Sequence, residues 1–188
     1  GVFKGKSLYH SYKTADKLIP DPNRLFWGLD SFEGFPVDNH DFYTDQNFAT
    51  SRELVEKNFK RFDNVKIVQG YFEDSLIDEK LQNIKKISFA FIDCDIYESA
   101  EVAFRFIKDR LSNGAFVMID DFTSIDKNDN YIAKCFFEVF KDRDILFFDT
   151  YSNGQTYRIF NNWYYLLIYV NTQQFLDDFR QVHFFEYY

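Results

Sequence analysis

A chain of 188 residues, 46% of them hydrophobic, is long enough for one domain with its own core and too apolar for a disordered segment. Its formal net charge of -8 argues against a general nucleic-acid binder, which normally presents a basic face. No apolar run approaches the roughly 18 residues that a membrane span needs, and no signal peptide is recognisable.

The aromatic share of 21% is high, with Phe 25 and Tyr 13. Such a share serves either an aromatic ligand pocket or an ordinary core, and the core is the reading taken here. Cys94 and Cys135 fall in unrelated elements with no metal or redox spacing between them. Reduced thiols in a cytoplasmic protein follow as the expectation.

In chain order, Ser7 is placed to cap a helix running to about Ile19, with Leu8, Tyr12, Ala15 and Ile19 on one face. Asp21-Pro22-Asn23 makes a turn, and Leu25 to Leu29 reads as a buried strand ending at Asp30. Residues 31 to about 47 are loop-like, with Gly34 and Pro36. Thr50 followed by Glu53 has the spacing of a capping box for a helix to about Phe62, and Val65 to Val68 is the next strand, closed by Gly70.

A short helical stretch near Asp78 to Asn83 precedes an apolar strand from Ile87 to Ile92, with Asp93 at its end. Asp95 and Glu98 suggest the cap of an amphipathic helix to Leu111, which Asn113-Gly114 would stop. Ala115 to Ile119 is another apolar strand ending in Asp120 and Asp121, and a helix from about Tyr131 to Lys141 follows. Ile145 to Tyr151 and Trp163 to Val170 then read as two antiparallel strands at one edge.

Strands apolar on both faces, alternating with helices, predict an α/β fold: a doubly wound, mostly parallel sheet in a three-layer sandwich with a terminal antiparallel strand. Sheets of this kind bind ligands beyond the carboxyl ends of their strands. Asp30, Asp93, Asp120 and Asp121 all fall at such ends, which predicts one acidic crevice.

Four segments occur in a fixed order: Leu29-Asp30-Ser31-Phe32-Glu33-Gly34-Phe35-Pro36, Gln69-Gly70-Tyr71-Phe72-Glu73-Asp74-Ser75-Leu76, Ile92-Asp93-Cys94-Asp95-Ile96-Tyr97-Glu98-Ser99, and Gly114 through Phe122. Together they resemble the macrocin O-methyltransferase family, Rossmann-like class I enzymes that methylate deoxysugars of macrolide antibiotics. The resemblance covers residues 1 to about 122. It implies S-adenosylmethionine as cofactor, a divalent metal such as Mg²⁺, and a sugar-like small-molecule acceptor. Gly1-Val2-Phe3-Lys4-Gly5-Lys6-Ser7 looks like the second half of the family's glycine-rich turn, so residues 1–188 are expected to form a single methyltransferase domain whose first strand lies upstream of Gly1.

That resemblance assigns Asp30 to the ribose hydroxyls, with Ser31 and Phe32 beside it. Gly1, Gly5 and Ser7 would approach the methionine end of the cofactor, and Gly70, Tyr71 and Phe72 the adenine. Asp93, Asp120 and Asp121 are the expected metal ligands, since Mg²⁺ prefers hard oxygen donors and retains open positions for substrate. The metal-bound hydroxyl would lose its proton more readily and attack the methyl carbon.

Asp95 is assigned to the helix cap rather than to the metal. The arrangement is also similar to catechol O-methyltransferase, but Ile96 stands where that enzyme carries its lysine base. His40, in the loop after Pro36, is the candidate general base beside the catalytic Asp93. Asp38, Asp41 and Asp45 crowd the same loop and either hold substrate or are solvated, while His10 on the first helix and His183 in the tail carry no assignment.

Two rival readings stand beside this one. Asp93-Cys94-Asp95 resembles the acid-x-acid motif of metal-dependent glycosyltransferases, which leaves Asp30, Asp120 and Asp121 without roles. A non-catalytic methyltransferase-like binding module is the other. The aromatic end, Tyr151 to Tyr188, would cover the sheet edge, line the acceptor pocket or make a homo-oligomer contact.

Overall fold

The computed structural model describes residues 1–35, 48–126 and 128–161. The chain divides into two compact units, one formed by Gly1–Asn83 with Asp126–Asp129, the other by Ile84–Ile125 with the chain from Asn130 onward.

In the first unit, helix α1 (Lys6–Leu18) precedes strand β1 (Phe26–Asp30), helix α2 (Arg52–Phe59), strand β2 (Val65–Gln69) and the short helices α3 (Phe72–Ser75) and α4 (Glu79–Gln82). β1 and β2 pair in parallel from Phe26↔Val65 to Asp30↔Gln69. Their core is Val2, Phe32, Val55, Phe59 and Val65, with Leu8, Tyr9, Tyr12, Phe26, Phe62 and Ile67 packed against it. Gly28 is needed in β1 because a Cβ there would meet the Leu8 and Val2 side chains at 2.7 and 2.9 Å. Leu8 and Tyr12 of the expected α1 face pack on this core, whereas Ile19 lies past the end of the helix and is exposed.

Two caps differ from the sequence reading. Gly5, at φ 87, occupies the position ahead of α1, so Ser7 lies inside the helix and does not cap it. Ser51, not Thr50, caps α2: its Oγ accepts the Leu54 N–H at 3.2 Å, and the helix ends at Phe59. Ser51 satisfies a helix-end N–H that would otherwise lack a partner.

In the second unit, strand β3 (Ile87–Ile92), helix α5 (Tyr97–Lys108), strand β4 (Leu111–Ile119), helix α6 (Ile132–Val139) and strands β5 (Asp144–Tyr151) and β6 (Gly154–Phe160) follow in order. The sheet order is β3-β4-β6-β5. β3 and β4 run parallel, whereas β6 is antiparallel to both β4 and β5. Phe104, Phe136 and Phe140 are fully buried, and the Phe136 ring lies 4.8 to 5.6 Å from those of Tyr157, Phe140 and Phe104. Phe122 and Phe160 are buried with them, whereas Phe89, Tyr131, Phe137 and Phe147 are exposed.

Four further expectations differ from the structure. Ile96, not Asp95, precedes α5, and no side chain caps that helix. α5 ends at Lys108, where Arg110 Nη1 donates to the Phe106 carbonyl at 2.7 Å. Asn113-Gly114, expected as a helix stop, lies inside β4, with Gly114 at φ 77 where the β3–β4 register shifts. Finally, β5 turns directly into β6 through Ser152 and Asn153, so the second antiparallel strand is Gly154–Phe160. The strand expected over Trp163 to Val170 lies outside the described residues, as do His40, His183, Asp38, Asp41 and Asp45. Among the described residues, no helix is long and apolar enough to cross a membrane.

Candidate active site

The expected cofactor residues gather around the carboxyl ends of β1 and β2. Asp30 ends β1, and its Oδ2 accepts the N–H groups of Val2 at 2.6 Å and Phe3 at 2.8 Å. Its Oδ1 accepts the Phe32 N–H at 2.7 Å. The N–H of Gly70 donates to the Asp30 carbonyl at 3.0 Å, carrying the β1–β2 ladder one step further. Residues 1–5, Asp30, Phe32 and Gly70 are therefore brought together.

Their individual environments are more structural than the sequence implied. An ionised carboxylate offers about four lone-pair positions, and three on Asp30 already hold backbone N–H groups. The remaining capacity suits one hydroxyl rather than a clasp on two. Ser31 Oγ donates to the Gly34 carbonyl at 2.8 Å and accepts the Glu33 N–H, which makes it a turn residue. The Phe32 side chain belongs to the core, leaving only its backbone for a ligand. A Cβ on Gly5 would lie 2.8 Å from the Phe59 ring, so packing of that ring requires this glycine. Tyr71 and Phe72, half-buried, form the start of α3.

The acids of the second unit converge. The N–H of Asp120 donates to the Ile92 carbonyl at 2.8 Å, which holds the ends of β3 and β4 side by side. Asp95 and Asp121 adopt left-handed backbone conformations, φ 62 and 45, in the turns that follow these strands. Asp tolerates that region better than most residues. One carboxylate oxygen from each of Asp93, Asp95 and Asp121 lies within 4.8 Å of the others.

The geometric trio differs from the expected one by containing Asp95 in place of Asp120. Burial pushes the Asp95 carboxyl up to about 8, reinforced by its hydrogen bond with Asp121 and the nearby charges of Asp93 and Asp121. Asp120 is pushed up to about 6, first by burial and then by the charge of Asp93, against the opposing effect of the Asp121 N–H. Acids this close need protons or a cation to offset their repulsion. The donor set is all hard oxygen and half-buried, which fits a Mg²⁺-like ion with water or substrate completing its shell.

The turn between β5 and β6 reaches this cluster, a feature that the sequence reading did not find. The side-chain amide of Asn153 donates to Asp121 Oδ1, and the Asn153 carbonyl accepts the Phe122 N–H at 3.2 Å. Burial and the charges of Asp120, Asp93 and Asp121 all disfavour ionisation of the Tyr151 hydroxyl. Asn153-Gly154 is visible as a turn signal, but nothing local in it points to an acid 32 residues away.

Acids at the ends of parallel strands, with an antiparallel β5–β6 hairpin along the sheet, define a class I methyltransferase fold. Two solved structures share that fold. The O-methyltransferase NovP matches with a TM-score of 0.66 and 22% identity, over 85% of this chain and 69% of NovP. The calicheamicin methyltransferase CalS11 matches with a TM-score of 0.61 and 18% identity, over 84% of this chain and 69% of CalS11.

The chain belongs to the macrocin-O-methyltransferase (TylF) family, which matches residues 1–145. Among its relatives, the 8-demethyl-8-(2,3-dimethoxy-alpha-L-rhamnosyl)-tetracenomycin-C 4'-O-methyltransferase of Streptomyces olivaceus is 34% identical over 136 residues, covering 65% of this chain and 51% of that protein. The mycinamicin III 3''-O-methyltransferase of Micromonospora griseorubida is 28% identical over 144 residues, covering 65% and 53%. The chain therefore spans about half the length of the relatives it matches.

Proposed function

We propose that this chain carries the catalytic site of an S-adenosylmethionine-dependent O-methyltransferase whose acceptor is a hydroxyl on a sugar-bearing small molecule. The observation that carries this reading is the convergence of Asp93, Asp95 and Asp121 at the ends of parallel strands in a member of this family. The named relatives methylate rhamnosyl-tetracenomycin and mycinamicin compounds, which supports the acceptor class.

Asp93 and Asp121 occur in both the sequence-based trio and the geometric one, so they are assigned as ligands of a divalent cation. Asp120, the third ligand that the family resemblance implies, is held next to Asp93 by its N–H bond to the Ile92 carbonyl. When bound, the cation supplies charge that makes a coordinated hydroxyl easier to deprotonate. Asp95, whose carboxylate lies within 4.8 Å of those of Asp93 and Asp121, is then left to receive the hydroxyl proton. Asp30 holds residues 1–3 against the end of β1 and retains one acceptor position for a ribose hydroxyl.

The test is calorimetric titration with Mg²⁺ and with S-adenosylhomocysteine, comparing wild type, Asp120→Asn and Asp95→Asn. The reading predicts that Asp120→Asn loses Mg²⁺ affinity, whereas Asp95→Asn retains it and loses turnover. His40→Gln is assayed beside them, and a larger turnover loss there would return the base role to His40. Binding of nucleotide sugars and not S-adenosylhomocysteine would overturn the reading in favour of a glycosyltransferase. Family membership speaks against that rival. Cofactor binding without turnover on any sugar-bearing acceptor would favour a binding module instead.

A further inference from the structure

Asn153 occupies the second position of the two-residue turn between β5 and β6, and it is tied to the β4 end twice. Its side-chain amide donates to Asp121 Oδ1, while its main-chain carbonyl accepts the Phe122 N–H at 3.2 Å. The turn cannot swing freely around these contacts. Ser152 adopts φ 45, and a Cβ on Gly154 would overlap the Tyr151 ring and the Ile119 carbonyl. The backbone link fixes the turn without the side chain. The side chain is therefore available to do something else, and among the described residues it donates to an acid of the cluster.

We propose that Asn153 is a positioning residue for the cation site, holding Asp121 by one carboxylate oxygen so that the other faces the space shared with Asp93 and Asp95. This inference rests on the cation reading given above. The physical reason is geometric. A carboxylate in a left-handed turn has several rotamers, and among crowded acids repulsion favours those that point apart. A neutral amide donor fixes one oxygen without bringing the positive charge that would compete for the site. Groups that hydrogen-bond to metal ligands in this way commonly change metal affinity by about 10–100-fold.

The experiment is a Mg²⁺ titration by calorimetry on the whole chain, with a thermal melt of each protein in the absence of divalent cations. Asn153→Ala and Asn153→Leu remove the donor but keep the backbone link to Phe122, and Leu keeps the side-chain bulk. Asn153→Gln restores a carboxamide. The expected result is Mg²⁺ affinity about 10-fold or more weaker in the Ala and Leu variants, partial recovery with Gln, and cation-free melting temperatures close to wild type.

Wild-type affinity in both Ala and Leu variants would overturn the positioning role while leaving the cation site standing. Equal weakening in all three variants with a lowered melting temperature would also overturn it, since the turn would then act only structurally. Absence of Mg²⁺ binding in the wild type would overturn the cation reading and this inference with it, and that failure shows itself before any variant is compared.

Discussion

The Val2 N–H lies 2.6 Å from Asp30 Oδ2, joining the first residues of the chain to the end of β1. Phe3 shares the same oxygen and Phe32 takes the other. Hydrogen bonds to an ionised group each contribute about 1.5–3 kcal/mol. Asp30→Ala should therefore destabilise the first unit by about 2–4 kcal/mol, measured by urea unfolding, and Asp30→Asn by less. If the residue served only a bound nucleoside, both variants would unfold like wild type.

How far the sequence reached can be judged strand by strand. Ile87 to Ile92 has in the structure the bounds that its sequence predicts, because an unbroken apolar run between polar residues forms a strand in an α/β chain. β6 differs from the expected strand because Asn153-Gly154 turns the chain directly back along β5 and a charge, Arg158, sits inside it. That arginine is buried, donates from Nε to the Gly114 carbonyl at 2.9 Å, and lies over the Phe116 and Phe160 rings. Asp95 shows a similar limit. Asp-x-x-Glu spacing reads as a helix cap, but a left-handed turn at Asp95 places Ile96 at the cap position and sends the acid into the cluster. Local spacing cannot report where a turn aims its side chain.

Gly114 tests the Arg158 arrangement. At φ 77 an L side chain is strained, and a Cβ would lie 2.7 Å from Arg158 Nη2. Strain of this kind costs about 1–3 kcal/mol before any clash is counted. Gly114→Ala should lower stability by at least about that amount. Chemical denaturation gives the measurement, and an unchanged midpoint would show that β4 relaxes without disturbing the arginine.

Cys135 is 1% exposed, and burial pushes its thiol up to about 12. Cys94 is likewise pushed up to about 12, mainly by burial and then by the neighbouring acids Asp95 and Asp93. Since the thiolate is the reactive form, both thiols are held in their unreactive protonated state near neutral pH. A disulfide exchange reagent should report almost no reaction in the native protein and both thiols after denaturation. Fast labelling of either thiol under native conditions would contradict this environment.

The acid cluster makes stability depend on pH and on divalent cations together. Asp95 has an ordinary value of 3.8 and stands near 8 in the folded chain, and Asp120 rises from 3.8 to about 6. A carboxyl with a raised folded-state pKa contributes stability that is complete below its unfolded value and is lost as pH rises through the folded one. Without divalent cations, the melting temperature should therefore fall between pH 4 and pH 8. Both acids contribute between pH 4 and about 6, and Asp95 alone carries the fall from there to about 8. Asp95→Asn removes the charge that the folded state resists, so it should flatten the fall above pH 6 and raise the pH 8 melting temperature. Mg²⁺ competes with these protons, so its stabilising effect should be larger at pH 8 than at pH 6. Melts across this range, with and without Mg²⁺, measure both effects. A flat wild-type profile would mean that the carboxylates are too well hydrated for burial to matter, whereas a sloped profile insensitive to Mg²⁺ would leave the raised acids in place without a cation to hold.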